Sequence, residues 1–131
     1  AGSSFFQSRS VFTRDGTPVT NLPVVVGVTT HDGKAAAELS PGDGWVACWE
    51  KIDGHGLGTG ALLAPTRAFE TKEIKQPGTK DASHALLLTT TDADGALTAY
   101  AGFEWERAGR VKTREEWIEA ISTCAKNLQK P

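Results

Sequence analysis

WVACWEKIDGHGLGTGALL, residues 45–63, is the stretch on which the reading of the fold turns. Successive side chains of a strand point to opposite faces. As a strand, WVACWEKI therefore sets Trp45, Ala47, Trp49 and Lys51 on one face and Val46, Cys48, Glu50 and Ile52 on the other. Asp53-Gly54 supplies the positive φ angles of a tight hairpin turn. Glycine then recurs at every second position from Gly54 to Gly60 before the chain turns apolar again. GHGLGTG reads as a hairpin loop and strand entry in which glycine permits close backbone approach, of a ligand among other things, with His55 exposed at its tip. A dinucleotide-binding loop needs a helix after its glycines, and here a strand follows.

The same turn chemistry recurs along the chain. Asp-Gly occurs at residues 15–16, 32–33, 43–44, 53–54 and 94–95. Between these turns lie SSFFQSRSVFT, LPVVVGVTT, WVACWEKI, GTGALLAP, RAFETKEI, HALLLTTT and ALTAYAGFEWER, short runs that are β-branched, aromatic or apolar. In HALLLTTTDADGALTAYAGFEWER the residues Asp92 to Gly95 separate two such runs, which predicts a hairpin. Its second strand alternates Leu97, Ala99, Ala101, Phe103 and Trp105 against Thr98, Tyr100, Gly102, Glu104 and Glu106, an apolar face against a polar one. After AGRVK the period changes. Thr113 and Glu116 have capping-box spacing, and Trp117, Ile121, Cys124 and Leu128 follow at helical intervals. The expected fold is mostly β, an antiparallel sandwich closed by one C-terminal α-helix over about 113–129, all within a single domain spanning 1–131.

Bulk composition agrees. The 131 residues suit one domain, and 14 glycines with 6 prolines imply many turns. A net charge of −2, with both signs mixed throughout, offers no field for a phosphate backbone, so nucleic acid is not an expected partner. No run approaches the roughly 18 apolar residues of a membrane span. The chain opens AGSSFF and contains no methionine, which points to a start produced by processing or truncation. Cys48 and Cys124, one in a strand and one in the helix, read as buried small hydrophobes more readily than as a disulfide.

Several residues carry candidate chemistry. Glu50 is the outlier on its strand face: a carboxylate among apolar neighbours needs a partner charge or takes a raised pKa. It is either a general acid or base, or half of a salt bridge to an arginine or lysine of the next strand. Trp45 and Trp49, two residues apart on one face, form either a platform for a sugar ring or part of the core. His31, His55 and His84 are far apart, with no metal-ligand spacing, so neither a metal site nor a cofactor is expected. His84, at a strand start, meets Glu104 or Glu50 only if the fold brings them together. Gly-x-Ser-x-Gly and P-loop motifs are absent from the sequence.

The chain runs in order through Trp49 and Glu50 in a strand, GHGLGTGALL, a polar hairpin, AYAGFEWERAGRVKTREEWIEAI and a closing helix. With Tyr100, Gly102, Trp105, Gly109, Glu116 and Trp117 at its marked positions, the region from about 40 to 128 resembles the C-terminal portion of the bacterial family called domain of unknown function 4861. The resemblance implies a relative of the galactose-mutarotase supersandwich, larger chains found beside polysaccharide-degrading enzymes, and a periplasmic or extracellular location. It also implies a missing N-terminal portion or partner chain that pairs with an exposed sheet edge. On this reading Glu50 or Glu104 is the acid or base and His55 or His84 its counterpart. Trp45, Trp49, Lys51, Tyr100 and Trp105 then contact an oligosaccharide or polysaccharide. The alternatives are a non-catalytic carbohydrate-binding module and an accessory subunit.

Overall fold

Residues 3–64 and 67–130 are described by the computed structural model of the chain. Their strands are β1 (Phe5–Val11), β2 (Thr13–Arg14), β3 (Thr17–Pro18), β4 (Pro23–His31), β5 (Ala36–Ser40), β6 (Trp45–Ile52), β7 (His55–Leu63), β8 (Glu70–Ile74), β9 (Ser83–Thr90) and β10 (Ala96–Trp105). A 3₁₀ turn (Glu106–Ala108) leads to helix α1 (Arg114–Leu128). The expected antiparallel sandwich with one C-terminal helix is what forms. Pro65, at the end of the run GTGALLAP, lies outside the described residues.

Two antiparallel sheets and the helix make three layers. The five-stranded sheet has the order β1-β10-β7-β6-β5, the three-stranded sheet the order β4-β9-β8, and β2-β3 forms a short separate ribbon. On one side of the five-stranded sheet, Val46, Ala61, Leu63, Leu97 and Ala99 meet Ala85 and Leu87 of β9 and the half-buried Val24, Val26 and Val28 of β4. On the other side, Trp45, Ala47 and Leu62 meet Trp117, Ile121 and Ala125 of α1. The strict alternation of β6 thus serves two cores at once, Trp45 and Ala47 facing the helix and Val46 facing the second sheet.

The glycines of β7 explain how the helix seats. Gly56, Gly58 and Gly60 face α1 and Trp49, and a Cβ at Gly58 would lie 2.5 Å from the Trp117 ring and one at Gly60 2.5 Å from Ile121. Their missing side chains let the helix lie directly on the strand backbone, and the Trp117 indole donates to the Thr59 carbonyl at 3.1 Å. GHGLGTG is therefore strand from His55 onward and not a loop; the loop is only Asp53-Gly54, with φ of 50° and 79°. The close backbone approach expected of these glycines is made by the protein's own helix. Phe5 of β1 stacks on the far side of Trp117, with 5.4 Å between ring centroids.

The helix begins as its sequence dictates. Thr113 caps it, its hydroxyl accepting from the Glu116 N–H at 3.2 Å, while the Glu116 carboxylate accepts from the Lys112 N–H at 2.6 Å. Arg114 fixes the same end to β5 through Glu38 at 2.6 Å. Cys124 lies on α1 and Cys48 on the opposite side of the sheet, and both thiols are free. Among the described residues, no helix is long and apolar enough to cross a membrane.

Two expectations need correction. The runs 83–90 and 96–105 are strands, but they do not form a hairpin: β9 belongs to the three-stranded sheet and β10 to the five-stranded one. Asp92, whose carboxylate accepts from the Asp94 and Ala96 amides, folds the turn that carries the chain between layers. The two faces of β10 also reverse roles towards its end. Gly102 and Glu104 on the supposedly polar face are buried beneath the helix side, whereas Phe103 and Trp105 on the apolar face are exposed. β5, an Ala-Ala-Glu-Leu-Ser strand of low intrinsic β preference, was not expected at all.

Candidate functional site

A break in β4 builds the site. Between Thr29 and His31 the register with β9 shifts, and His31 adopts a left-handed φ of 56°. The Thr29 hydroxyl accepts from the His31 N–H at 3.1 Å and lies 3.3 Å from the Ser83 carbonyl, to which it donates. A bulge of this kind re-aims a side chain. Here it places the His31 ring between the layers, with Nε2 3.1 Å from Glu50 Oε1 of β6 and Nδ1 2.8 Å from Asp81 Oδ1 of the turn before β9. A left-handed non-glycine residue stores strain and is held there by its surroundings.

The electrostatics favour a protonated ring. Its hydrogen bond to Asp81 raises the His31 pKa most, burial opposes the rise, and the charge of Glu50 adds to it. As an imidazolium, His31 donates both N–H groups, one to each carboxylate. The side chain of Glu50 is only 15% exposed, while Asp81 is solvent-facing. Glu50 thus has the partner charge that its apolar strand face demands, supplied by a histidine rather than by the arginine or lysine expected from the next strand.

A cleft of about 390 Å³ opens onto this pair, lined by Thr30, His31, Lys34, Trp49, Glu50 and Lys51. Lys34 pairs with Asp32 at 3.0 Å, which holds the Asp32 carboxyl below its ordinary range. Thr30 is fully buried, and its hydroxyl has no hydrogen-bond partner among the described residues. Chemically, the arrangement presents a carboxylate to a small cleft, with an imidazole of raised pKa behind it and a second carboxylate holding that imidazole. This is a chain along which a proton can pass.

The other expected residues fall elsewhere. His55 starts β7 opposite Ile52 and sits edge-on to Trp105, with 6.5 Å between centroids. His84 lies on β9 across from Thr29 and Ile74, on the alternate face from buried Ser83 and Ala85. Neither meets Glu50. Glu104 is 2% exposed on the helix side of β10, where it accepts from the Ser4 hydroxyl and pairs with Arg110 at 2.9 Å. Glu50 and Glu104 therefore occupy opposite faces of one sheet and cannot flank a common bond. Trp45 is a core residue packed under the helix, so it is no sugar platform. Tyr100, half-buried beside the same core, lies away from the cleft. Trp49 and Lys51 border the cleft, but the Trp49 ring packs on the helix-side core, on the face of β6 opposite Glu50. Trp105 is exposed at the end of β10, with the Arg107 guanidinium 5.6 Å from its ring centroid. Among the described residues no group of three or more His, Cys, Asp or Glu side chains is placed to hold a metal ion.

The histidine that the site uses, His31, carried one signal in the sequence. It stands between the strand end VTT and the turn Asp32-Gly33, where a polar ring is poised over a sheet edge. The bulge that turns it inward depends on the register with β9 and is not written locally.

Comparison with known proteins places these residues in context. The family model described as domain of unknown function, DUF4861, matches residues 1–131. An uncharacterized protein P7 of Formosa agariphila is 31% identical over 108 residues, covering 81% of this chain. The match spans 27% of that relative's own length. No solved structure matches the chain.

Proposed function

The chain belongs to the DUF4861 family, and from that premise we propose that it processes carbohydrate by acid/base chemistry at Glu50, with His31 as proton partner. The observation that carries the reading is the Glu50, His31 and Asp81 chain at the cleft. Glu50 offers one carboxylate oxygen to His31 and turns the rest of the group to the cleft, so it is the residue that gives or takes the substrate proton. His31 acts through Glu50, holding the proton and fixing the carboxylate's orientation, and Asp81 fixes His31. Lys51 adds a cationic group to the cleft lining, while the Trp49 ring packs on the helix-side core and supplies no wall beside Glu50. Glu104, on the opposite face, is not a second carboxylate for Glu50 in glycoside cleavage, and proton abstraction from a sugar ring, as in epimerisation or β-elimination, is the chemistry we assign to Glu50. The periplasmic or extracellular location and the kinship with galactose-mutarotase supersandwiches belong to the same proposal.

The test is turnover and binding of a panel of acidic and neutral oligosaccharides by the wild type and by Glu50→Gln, with products followed by mass spectrometry. We expect product with the wild type and a loss of at least about 10²-fold in turnover with Glu50→Gln, the usual scale for one acid/base group, while binding persists. Binding without turnover by the wild type would favour the second reading, a carbohydrate-binding module, to which the exposed Trp105 lends support. An absence of both would remove the carbohydrate reading.

A further inference from the structure

The charges around the cleft are unequally spent. Glu50 and Asp81 share His31, and Asp32 pairs with Lys34 at 3.0 Å. Lys51 borders the same cleft, exposed and in no ion pair among the described residues. It leaves β6 on the face opposite Glu50. β5, however, pairs with β6 only as far as Trp49. From Glu50 to Ile52 β6 is therefore itself the sheet edge on that side, and the long lysine stem can turn round it to the cleft. Lys34 is also available: its side chain is 87% exposed, and a solvent-exposed pair is weakly held, so it can exchange Asp32 for a ligand anion. Thr30 lines the cleft too, and its fully buried hydroxyl has no partner among the described residues. A polar group left so is satisfied when a ligand oxygen or a water enters beside it.

Proton abstraction from a sugar carbon needs more than a base. A ring C–H of a neutral sugar is far too weakly acidic for a carboxylate to ionise. A C–H next to a carboxyl group is acidified, because the electron pair it leaves spreads onto the carboxyl oxygens, and more so when cations stand beside them. Resting on the acid/base reading of Glu50, we infer that the substrate is a uronic acid unit whose carboxylate is held by Lys51 and Lys34. Glu50 takes the proton from the carbon that bears this carboxylate. The C–H bond breaks, its electron pair forms a double bond to the carboxyl carbon, and the C=O pair moves onto oxygen, where the lysines face the second negative charge. Water can then return a proton to the other side of the carbon, which inverts the centre, while Glu50 gives its proton to solvent. Alternatively the pair forms a double bond to the neighbouring ring carbon, whose C–O bond breaks. The departing oxygen keeps that bond's electrons and takes the proton from Glu50. A sugar without the carboxylate does neither.

The experiment offers oligomers of glucuronic, galacturonic, mannuronic and guluronic acid, each beside its carboxyl-reduced neutral counterpart, to the protein in D₂O. Deuterium uptake and unsaturated product are followed by mass spectrometry. We expect the wild type to act on an acidic oligomer and to leave its reduced counterpart unchanged. Lys34→Gln combined with Lys51→Gln should lower kcat/KM on the order of 10²-fold, the scale for groups that face developing charge. Arginine at both positions, which keeps the charge, should restore most of it. Both lysines are exposed, so the variants should keep the wild-type Tm. Reaction of the neutral oligomers that Glu50→Gln abolishes would overturn the uronate assignment and leave the acid/base reading standing. No reaction with any oligomer would overturn both. A glutamine variant as active as the wild type, or an arginine variant as inactive as the glutamine one, would likewise overturn the assignment.

Discussion

His31 joins the two sheets through charge: Glu50 comes from the five-stranded sheet and Asp81 from the turn leading into β9. Because its pKa is raised in the folded state, the folded chain holds the ring proton more tightly than the unfolded chain does. The contribution to stability is therefore fully present below the ordinary histidine value of 6.5, down to the range where the carboxylates protonate. It is lost as pH rises through the raised value. Thermal melts of wild type and His31→Asn across this range should differ most on the acidic side of 6.5 and converge as the ring deprotonates. A difference that is constant with pH would mean that His31 contributes by packing alone. Of the site, Glu50 was legible because a lone carboxylate on an apolar strand face must find a partner. The partner was not, because it arrives through a backbone bulge and from a strand nineteen residues upstream. His55 drew suspicion at the tip of an expected loop and His84 at a strand start, and the register carried each away from Glu50.

At the scale of the element, β7 and α1 are fitted to each other by what β7 lacks. Gly58→Ala would drive a methyl to within 2.5 Å of the Trp117 ring, which is itself pinned to the Thr59 carbonyl. Overpacking of this kind costs about 1–3 kcal/mol. Gly42→Ala is the control, since a Cβ there meets nothing within 4 Å and its φ is not in the left-handed region; chemical denaturation should show the first variant destabilised and the second close to wild type. The helix itself was legible from capping residues and a seam at helical spacing, both local signals. The alternating glycines were legible as a close approach, but their partner sits some sixty residues away in the sequence. The pairing of β9 and β10 was misjudged for a related reason. A tight turn between two apolar runs fits a hairpin and a crossing between layers equally well, and the deciding contacts, β9 with β4 and β10 with β1, lie far along the chain.

For the whole molecule, burial falls from the centre to the edges of the five-stranded sheet. β6 and β7 are covered on both faces over most of their length, whereas β1 is an edge strand paired with β10 and exposed from Phe6 to Val11. Local opening follows such differences. Hydrogen exchange followed by mass spectrometry should find the amides of β6 and β7 slowest and those of β1 fastest. Equal protection of β1 and β7 would mean that the sheet opens as one unit. The sandwich class was legible from turn spacing and alternation, but its unequal widths were not, because the number of strands in each layer depends on which distant runs pair.

The pairing of β1 with β10 also sets an order of events during synthesis. Phe6 meets Ala101 in that ladder, so β1 leaves the ribosome well before β10 and lacks this partner until β10 has been made. At roughly 5–20 residues per second that wait is on the order of 5–20 s. During it, Phe5 and Phe6 remain available to chaperones and to neighbouring nascent chains.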